Sequence, residues 1–268
     1  MPLFQLILIA LIQGVTEFLP VSSSGHLILL PGLTQMEDQG QVIDVAVHVG
    51  TLFAVVLFFW SDVKIGLLGL PRALTGRLDS DGARLAMGLI VATIPTVILG
   101  AILHFTGLSD ALRSITVIGW TMLGFGLVLY VADRFAPERK SAGSWGLKDA
   151  FIMGLWQMLA LIPGTSRSGI TITGARHLGY TRLDAARLSM LMSIPTILAS
   201  AVLLGADTTF ADQPGLLADA AIAAVLSMLA ALAALAIMMR LLRTISFAPY
   251  VIYRVVLGII LLVVAYQG

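Results

Sequence analysis

The 268-residue chain contains no cysteine. Disulfides, thiol nucleophiles and thiolate metal sites are therefore excluded. Any catalysis must come from Ser, Thr, His, carboxylates, Arg or a hard metal ion. Charge is scarce as well: Asp, Glu, Lys and Arg make up 12% of the residues, against about 25% in soluble domains. The net charge is only +1 and no polybasic block exists, so nucleic acid is not an expected partner. No polar stretch exceeds about twenty residues, which leaves no room for a soluble domain. The start, Met1-Pro2-Leu3-Phe4, lacks the positive region of a cleaved signal peptide, so none is expected. What the chain does have is apolar sequence, 58% of it, with a mean hydropathy of +0.97. This composition predicts an all-α integral membrane protein with one membrane domain over residues 1–268.

A spanning helix needs roughly 20 mostly apolar residues. Six segments meet this: about 45–60, 86–103, 115–132, 188–205, 217–239 and 250–266. Two further apolar stretches are interrupted at their centres. Leu3–Leu30 is broken by Gln13, Glu17, Pro20, Ser22-Ser23-Ser24, Gly25 and His26. Residues 150–178 are broken by Gln157, Pro163, Gly164, Ser166, Arg167, Ser168, Gly169 and Thr171. Irregular backbone at membrane depth survives only when buried in protein or lining a polar cavity. Both stretches therefore read as re-entrant helix-loop-helix hairpins.

The two hairpins look like copies. At an offset of 144 residues, Gln13, Ser22, Ser24 and Gly25 meet Gln157, Ser166, Ser168 and Gly169. Each half, about 1–135 and 145–268, then holds one hairpin and three spans. An odd number of crossings puts the second half on the opposite face, so the repeats are expected to be inverted, with the two loop tips meeting near the midplane. Charge agrees. With this topology one face carries thirteen basic residues, in 61–84, 133–149, 176–187 and 240–249, whereas the other carries only Arg113. The basic face is cytoplasmic by the positive-inside rule, and both termini are expected to face outward.

Glu17 is the first residue that needs a reason, because a charge in a membrane segment is costly. Gln13 lies one helical turn before it, and the two offer oxygen ligands suited to Mg²⁺ or Ca²⁺. The bland alternative is a carboxylate that merely pairs with Arg167. Ser22, Ser23 and Ser24 beside His26 supply a nucleophile and a proton carrier, with Gly25 allowing close backbone approach. A serine-rich helix cap is the alternative. Arg167 offers a guanidinium fork for phosphate, flanked by the hydroxyls of Ser166, Ser168 and Thr171, with Gly164 and Gly169 letting the backbone curl round an anion. An arginine snorkelling to the surface would not explain those hydroxyls. Together, metal ligands, a nucleophile and an anion clamp suit phosphoryl transfer. A site within the bilayer suits an amphiphilic substrate. Arg254 reads as a snorkelling or phosphate-facing anchor near the cytoplasmic end of the last span. His48, His104 and His177 read as interfacial or satisfied groups, Pro95 and Pro195 as kinks, and Leu204–Pro214 as a polar outward loop.

The segments Gln13-Gly14-Val15-Thr16-Glu17-Phe18-Leu19-Pro20-Val21-Ser22-Ser23-Ser24-Gly25-His26 and Pro163-Gly164-Thr165-Ser166-Arg167-Ser168-Gly169-Ile170-Thr171 resemble the two signatures of the bacterial undecaprenyl-diphosphate phosphatases, the bacitracin-resistance family. Ile245-Ser246-Phe247 and Tyr253-Arg254 are similar as well. The resemblance implies a phosphatase of the bacterial inner membrane, dependent on Mg²⁺ or Ca²⁺, that takes one phosphate from a polyprenyl diphosphate and so recycles the lipid carrier of the cell wall. It implies Ser23 as nucleophile, His26 as the signature histidine, Arg167 as the phosphate-binding arginine and Glu17 as the second acidic position. The first of those positions is Glu or Gln in the family and is Gln13 here. The main rival is a transporter or flippase for the same kind of lipid, which inverted repeats would also suit. The Ser/His pair and the metal-suited Glu17 favour the enzyme. Oligomeric state is not legible, and a homodimer stays open.

Overall fold

In the computed structural model the described residues are 1–34, 39–108, 112–207 and 215–267, and they form eleven α-helices. In chain order these are α1 (Leu3–Thr16), α2 (Ser23–Thr34), α3 (Gly40–Phe58), α4 (Trp60–Leu74), α5 (Asp81–Thr106), α6 (Ile115–Phe135), α7 (Leu147–Met158), α8 (Arg167–His177), α9 (Arg182–Asp207), α10 (Leu216–Leu241) and α11 (Ala248–Gln267). Six of them, α3, α5, α6, α9, α10 and α11, are long and apolar enough to cross a bilayer. They coincide with the six segments read from hydropathy. The helices α1, α2, α7 and α8 have 14, 12, 12 and 11 residues, too few to span a core about 30 Å thick. No strand exists among the described residues, only a single bridge between Lys140 and Tyr180.

Helix ends follow the sequence. Ser80 and Ser114 cap α5 and α6 by accepting from the amides of Ala83 and Val117. Gly107, at φ 69°, closes α5 in the left-handed conformation. The segment 61–84, expected only as a basic connection between spans, contains α4. Its apolar residues recur at helical spacing but are interrupted by Lys64 and Arg72, so it falls short of a spanning pattern. The Gly66, Gly69 and Ala73 face of α4 is buried, and a Cβ on Gly69 would strike the backbone of Gly82 and Ala83 at the start of α5. Most of 204–214 lies outside the described residues.

The short helices are held between the long ones. A Cβ on Gly14 of α1 would fall 2.6 Å from Ser227 O of α10, and one on Gly154 of α7 would fall 2.6 Å from Ala92 O of α5. Lipid tails give no hydrophobic drive for helix association, so such close backbone approach supplies the packing energy instead. The main core joins Phe18, Leu52, Leu129, Met153, Ile172, Leu188, Leu235 and Phe247, so it surrounds both interrupted stretches.

Ion pairs tie the basic ends together. Asp133 of α6 meets Arg176 of α8 at 3.2 Å and Arg182 of α9 at 2.7 Å, and accepts from the amide of Phe247. Arg187 of α9 pairs with Asp62 of α4. Lys140 and the Tyr180 hydroxyl both donate to Asp149. Burial and the neighbouring carboxylate hold the Tyr180 phenol above its usual range, so it stays a donor.

Candidate active site at the junction of two loops

The chain leaves α-helical geometry between α1 and α2 and again between α7 and α8, where a 3₁₀ turn at Leu159–Leu161 precedes the loop. Pro20 and Pro163 lie in these two breaks. Each break ends on a serine with positive φ: Ser22 at 74° and Ser166 at 70°. These are the positive-φ residues other than glycine among the described residues, in a region that costs a residue with a Cβ roughly 1–3 kcal/mol. Each serine offsets that cost in the same way. Ser22 Oγ accepts from the amide of Gly25 at 3.3 Å, and Ser166 Oγ accepts from that of Gly169 at 3.1 Å. Each hydroxyl also meets the serine two residues on, Ser24 at 3.4 Å and Ser168 at 3.2 Å. The two loops are thus built alike.

They meet at Glu17. Its carboxylate is 8% exposed. Oε2 accepts from Ser23 Oγ at 2.6 Å and from Gln13 Nε2 at 2.9 Å, while Oε1 accepts from Arg167 Nη2 at 2.8 Å. A second bridge runs from Ser168 Oγ to Leu19 O at 2.9 Å. The residues expected at the two tips are therefore brought together across 150 positions of sequence.

Three polar atoms of this region are buried without a protein partner: Gln13 Oε1, Thr165 Oγ1 and Arg167 Nη1. A buried polar atom left unpaired costs about 1–3 kcal/mol, so each of these three is a place where water, an ion or a ligand would complete the structure. Arg167 is held by one terminal nitrogen and has the other free, the arrangement of a guanidinium oriented for a further acceptor.

Two expectations fare differently. His26 Nδ1 lies 2.6 Å from Ser22 O, which can only accept, so Nδ1 carries the proton. On the neutral ring, Nε2 then accepts from the Tyr253 hydroxyl, 2.5 Å away, and the two rings stack. Ser23 faces Glu17 rather than His26. Thr171 lies a turn inside α8, where its hydroxyl serves Arg167 O, Ser168 O and Ser189 Oγ. It supports the loop from behind. Ser22, Ser24 and Gly25 form the turn of the first loop, and Gly164, Ser166, Ser168 and Gly169 that of the second.

His48, expected to be an interfacial or satisfied group, is satisfied by a backbone carbonyl and also stands beside Glu17. Its Nε2 lies 3.9 Å from Glu17 Oε2, while Nδ1 donates to Asp44 O at 2.7 Å. No motif flags it, because it comes from mid-α3, 31 positions after Glu17; the only signal is a histidine within a spanning helix. Arg254 is a correction. It does not snorkel: it is fully buried.

The family model "Bacitracin resistance protein BacA" matches residues 6–260. The chain belongs to the BacA family. Proteins named "Undecaprenyl-diphosphatase" from Ruegeria sp. (strain TM1040) and Ruegeria pomeroyi are each 73% identical, covering 99% and 100% of this chain and all of their own length. "Undecaprenyl-diphosphatase 1" of Rhodospirillum rubrum is 48% identical over 100% of this chain and 97% of its own. BacA membership and six apolar spans make this a multi-pass membrane protein.

Proposed function

We propose that the chain is an undecaprenyl-diphosphate phosphatase of the bacterial cytoplasmic membrane. It removes the terminal phosphate of a polyprenyl diphosphate and so recycles the lipid carrier of cell-wall synthesis. Its full-length relatives carry that name. The observation that carries the reading is Glu17, a buried carboxylate that takes a hydroxyl from one loop and a guanidinium from the other.

The fold expected for this activity is two inverted repeats, each opening on a re-entrant hairpin. Several contacts support it. The hairpin helix α1 packs on α10 while its counterpart α7 packs on α5, and α3 packs on α9 as α6 does on α11. Met1 pairs with Asp219 at one end of the bundle, whereas Arg187–Asp62 and Arg182–Asp133 lie at the basic end. The termini then face outward, and the first hairpin opens the site to that side.

The mechanism follows from the contacts. Arg167 grips the terminal phosphate through the nitrogen that Glu17 leaves free. Ser23 Oγ attacks the terminal phosphorus in line and gives its proton to Glu17 Oε2, the acceptor it already faces. The bond from phosphorus to the bridging oxygen breaks, and the prenyl monophosphate departs with the electron pair. Water then splits the phosphoserine to release phosphate and restore the serine. The relay that the sequence assigns to His26 passes, for the attacking proton, to Glu17. His26, with Tyr253, closes the first loop from the other side.

A divalent cation fits the residues present only in part. Among the described residues no cluster of three histidines or acids makes a complete metal site. Gln13 Oε1, however, is an unpartnered buried oxygen next to a carboxylate. Glu17 and Gln13 would hold Mg²⁺ or Ca²⁺, which commonly take remaining ligands from water and substrate phosphate. Bound there, the cation would neutralise charge on the diphosphate oxygens.

The test is phosphate release from farnesyl or undecaprenyl diphosphate by the purified protein in detergent, with and without EDTA, beside Arg167→Ala and Glu17→Ala. Release that both substitutions abolish is the expected result. No release under any metal would overturn the enzyme and leave a lipid transporter.

A further inference from the structure

Arg254 lies in the second turn of α11 with none of its surface exposed. Among the described residues no carboxylate is within ion-pair distance of it. A buried charge without a counter-ion is costly, so something else must satisfy it. Backbone carbonyls do. Nε donates to Met122 O at 3.3 Å and Nη1 to Pro20 O at 3.4 Å. Nη2 lies within reach of Thr121 O at 3.3 Å, Gly164 O at 3.2 Å and Thr165 O at 2.8 Å. Five carbonyls face the guanidinium, and the two N–H groups of Nη2 are shared among three of them.

The origin of those carbonyls is what matters. Pro20 belongs to the first loop, Gly164 and Thr165 to the second, and Thr121 and Met122 to α6. Loop carbonyls at membrane depth have no helical partner and no bulk water, so each needs a donor from the protein. One side chain supplies it to both loops at once. Room is left for it: a Cβ on Gly169 would sit 2.7 Å from Arg254 Nη1, and one on Gly126 would sit 3.2 Å from Arg254 Cβ. Thr121 adds a strut by donating to Pro163 O at 2.6 Å.

We propose that Arg254 is a positioning residue that clamps the two loop tips to each other from behind, setting the register in which Ser23 and Arg167 reach one phosphate. This rests on the phosphatase reading of the same loops. It needs the fork of the guanidinium, not merely a positive charge. A lysine in its place keeps the charge but has three donors on one nitrogen and cannot span carbonyls on three segments.

The experiment takes the full-length protein in detergent and compares the parent with Arg254→Lys and Arg254→Gln. Because the chain has no cysteine, Val15→Cys and Leu155→Cys, on the exposed faces of α1 and α7, take paired spin labels that report the separation of the two hairpins. Both Arg254 variants should lower kcat about 100-fold, the usual cost of reacting groups misplaced by about 1 Å, with KM changed less than about threefold and a broadened label-to-label distance. Parent-like kcat in Arg254→Lys, or a fall in kcat with an unchanged distance distribution, would overturn the proposal. Should either variant fail to fold, Gly169→Ala places a Cβ 2.7 Å from Arg254 Nη1, pushes the guanidinium aside and should broaden the distance in the same way; an unchanged distribution there counts against the clamp. If the parent itself released no phosphate, the distance measurement alone would still decide the clamp, separately from the enzyme reading.

Discussion

The first and second loops share a backbone and differ in chemistry. Ser22 and Ser166 hold the same positive φ, cap the same amide three residues on and touch the same second serine. The positions that differ do the work. Where the first loop has Ser23 the second has Arg167, and where the first has Glu17 and His26 the second has Leu161 and Ile170. Residues common to both loops therefore build the turn, while those that differ carry the groups proposed as nucleophile, carboxylate and anion clamp. Ser23 and Arg167, at corresponding positions, both reach the one carboxylate that only the first loop has.

The largest effects should come from making the loops alike. Glu17→Leu gives the first loop the residue that the second has at that place. It strips Ser23 of its acceptor and leaves Arg167 buried without its partner. Phosphate release should fall at least ~10³-fold, the scale of removing a preorganised charged group together with a general base. Stability should fall too, since breaking a buried pair at one end costs about 3–5 kcal/mol. Arg167→Ser, which copies the first loop into the second, should lose activity equally. The double variant Glu17→Leu/Arg167→Ser should unfold at a higher temperature than Glu17→Leu alone, because no unpaired charge remains. A double variant that is less stable would mean that the pair is not the bond between the loops.

A smaller effect sharpens the view of the clamp. Arg167→Lys keeps the charge but loses the geometry that lets one nitrogen hold Glu17 while another meets phosphate. A drop of about 100-fold in kcat/KM is expected, with most of the parent's thermal stability retained because the pair with Glu17 survives. Equal losses in Arg167→Lys and Arg167→Ser would show that orientation, and not charge, limits the second loop.

The comparison also explains what the sequence could reveal. All six spans were legible because long apolar runs have one physical use, and the breaks at Pro20 and Pro163 were legible because proline, glycine and serine make no sense in a spanning helix. Glu17 and Arg167 stood out as charges in apolar surroundings. Side-chain direction was not legible. Ser23 and His26 are one helical turn apart, which made them look like a pair, yet Ser23 faces Glu17 and His26 faces Tyr253. The nearness of His48 to Glu17 and the burial of Arg254 were hidden for the same reason. The partners of these two residues lie 31 and up to 234 positions away, and no local pattern encodes a contact with a distant carbonyl. The helix α4 was missed because Lys64 and Arg72 hide its packing face from a hydropathy scan.

His48 has no counterpart of its kind in the second half: position 192, at the same offset, is Met192, fully buried in the core. It stands near Glu17 without hydrogen-bonding to it, so it acts on the carboxylate's surroundings only. His48→Gln should lower kcat by less than about tenfold, well below the general-base range, and leave the fold intact. A loss as large as that of Glu17→Leu would place His48 within the reacting centre and make α3 a third contributor beside the two loops.

The smallest effect tests the likeness itself. Ser22 and Ser166 each carry a strained φ and a cap. Alanine keeps the strain and removes the cap, so Ser22→Ala and Ser166→Ala should each cost about 1 kcal/mol, a drop of roughly 2–4 °C in Tm for a chain near this size. Glycine removes the strain as well as the cap, so Ser22→Gly and Ser166→Gly should be more stable than the alanine variants. Thermal unfolding of all four in one detergent decides it. The alanine pair should match each other and the glycine pair should match each other, because the two loops solve one backbone problem with one residue. If Ser166→Ala costs several times more than Ser22→Ala, the second loop's serine is holding something beyond its own turn. The nearby contact able to carry that excess is the bridge from Ser168 to Leu19 O, which joins the loops and which the hydroxyl of Ser166 helps to orient.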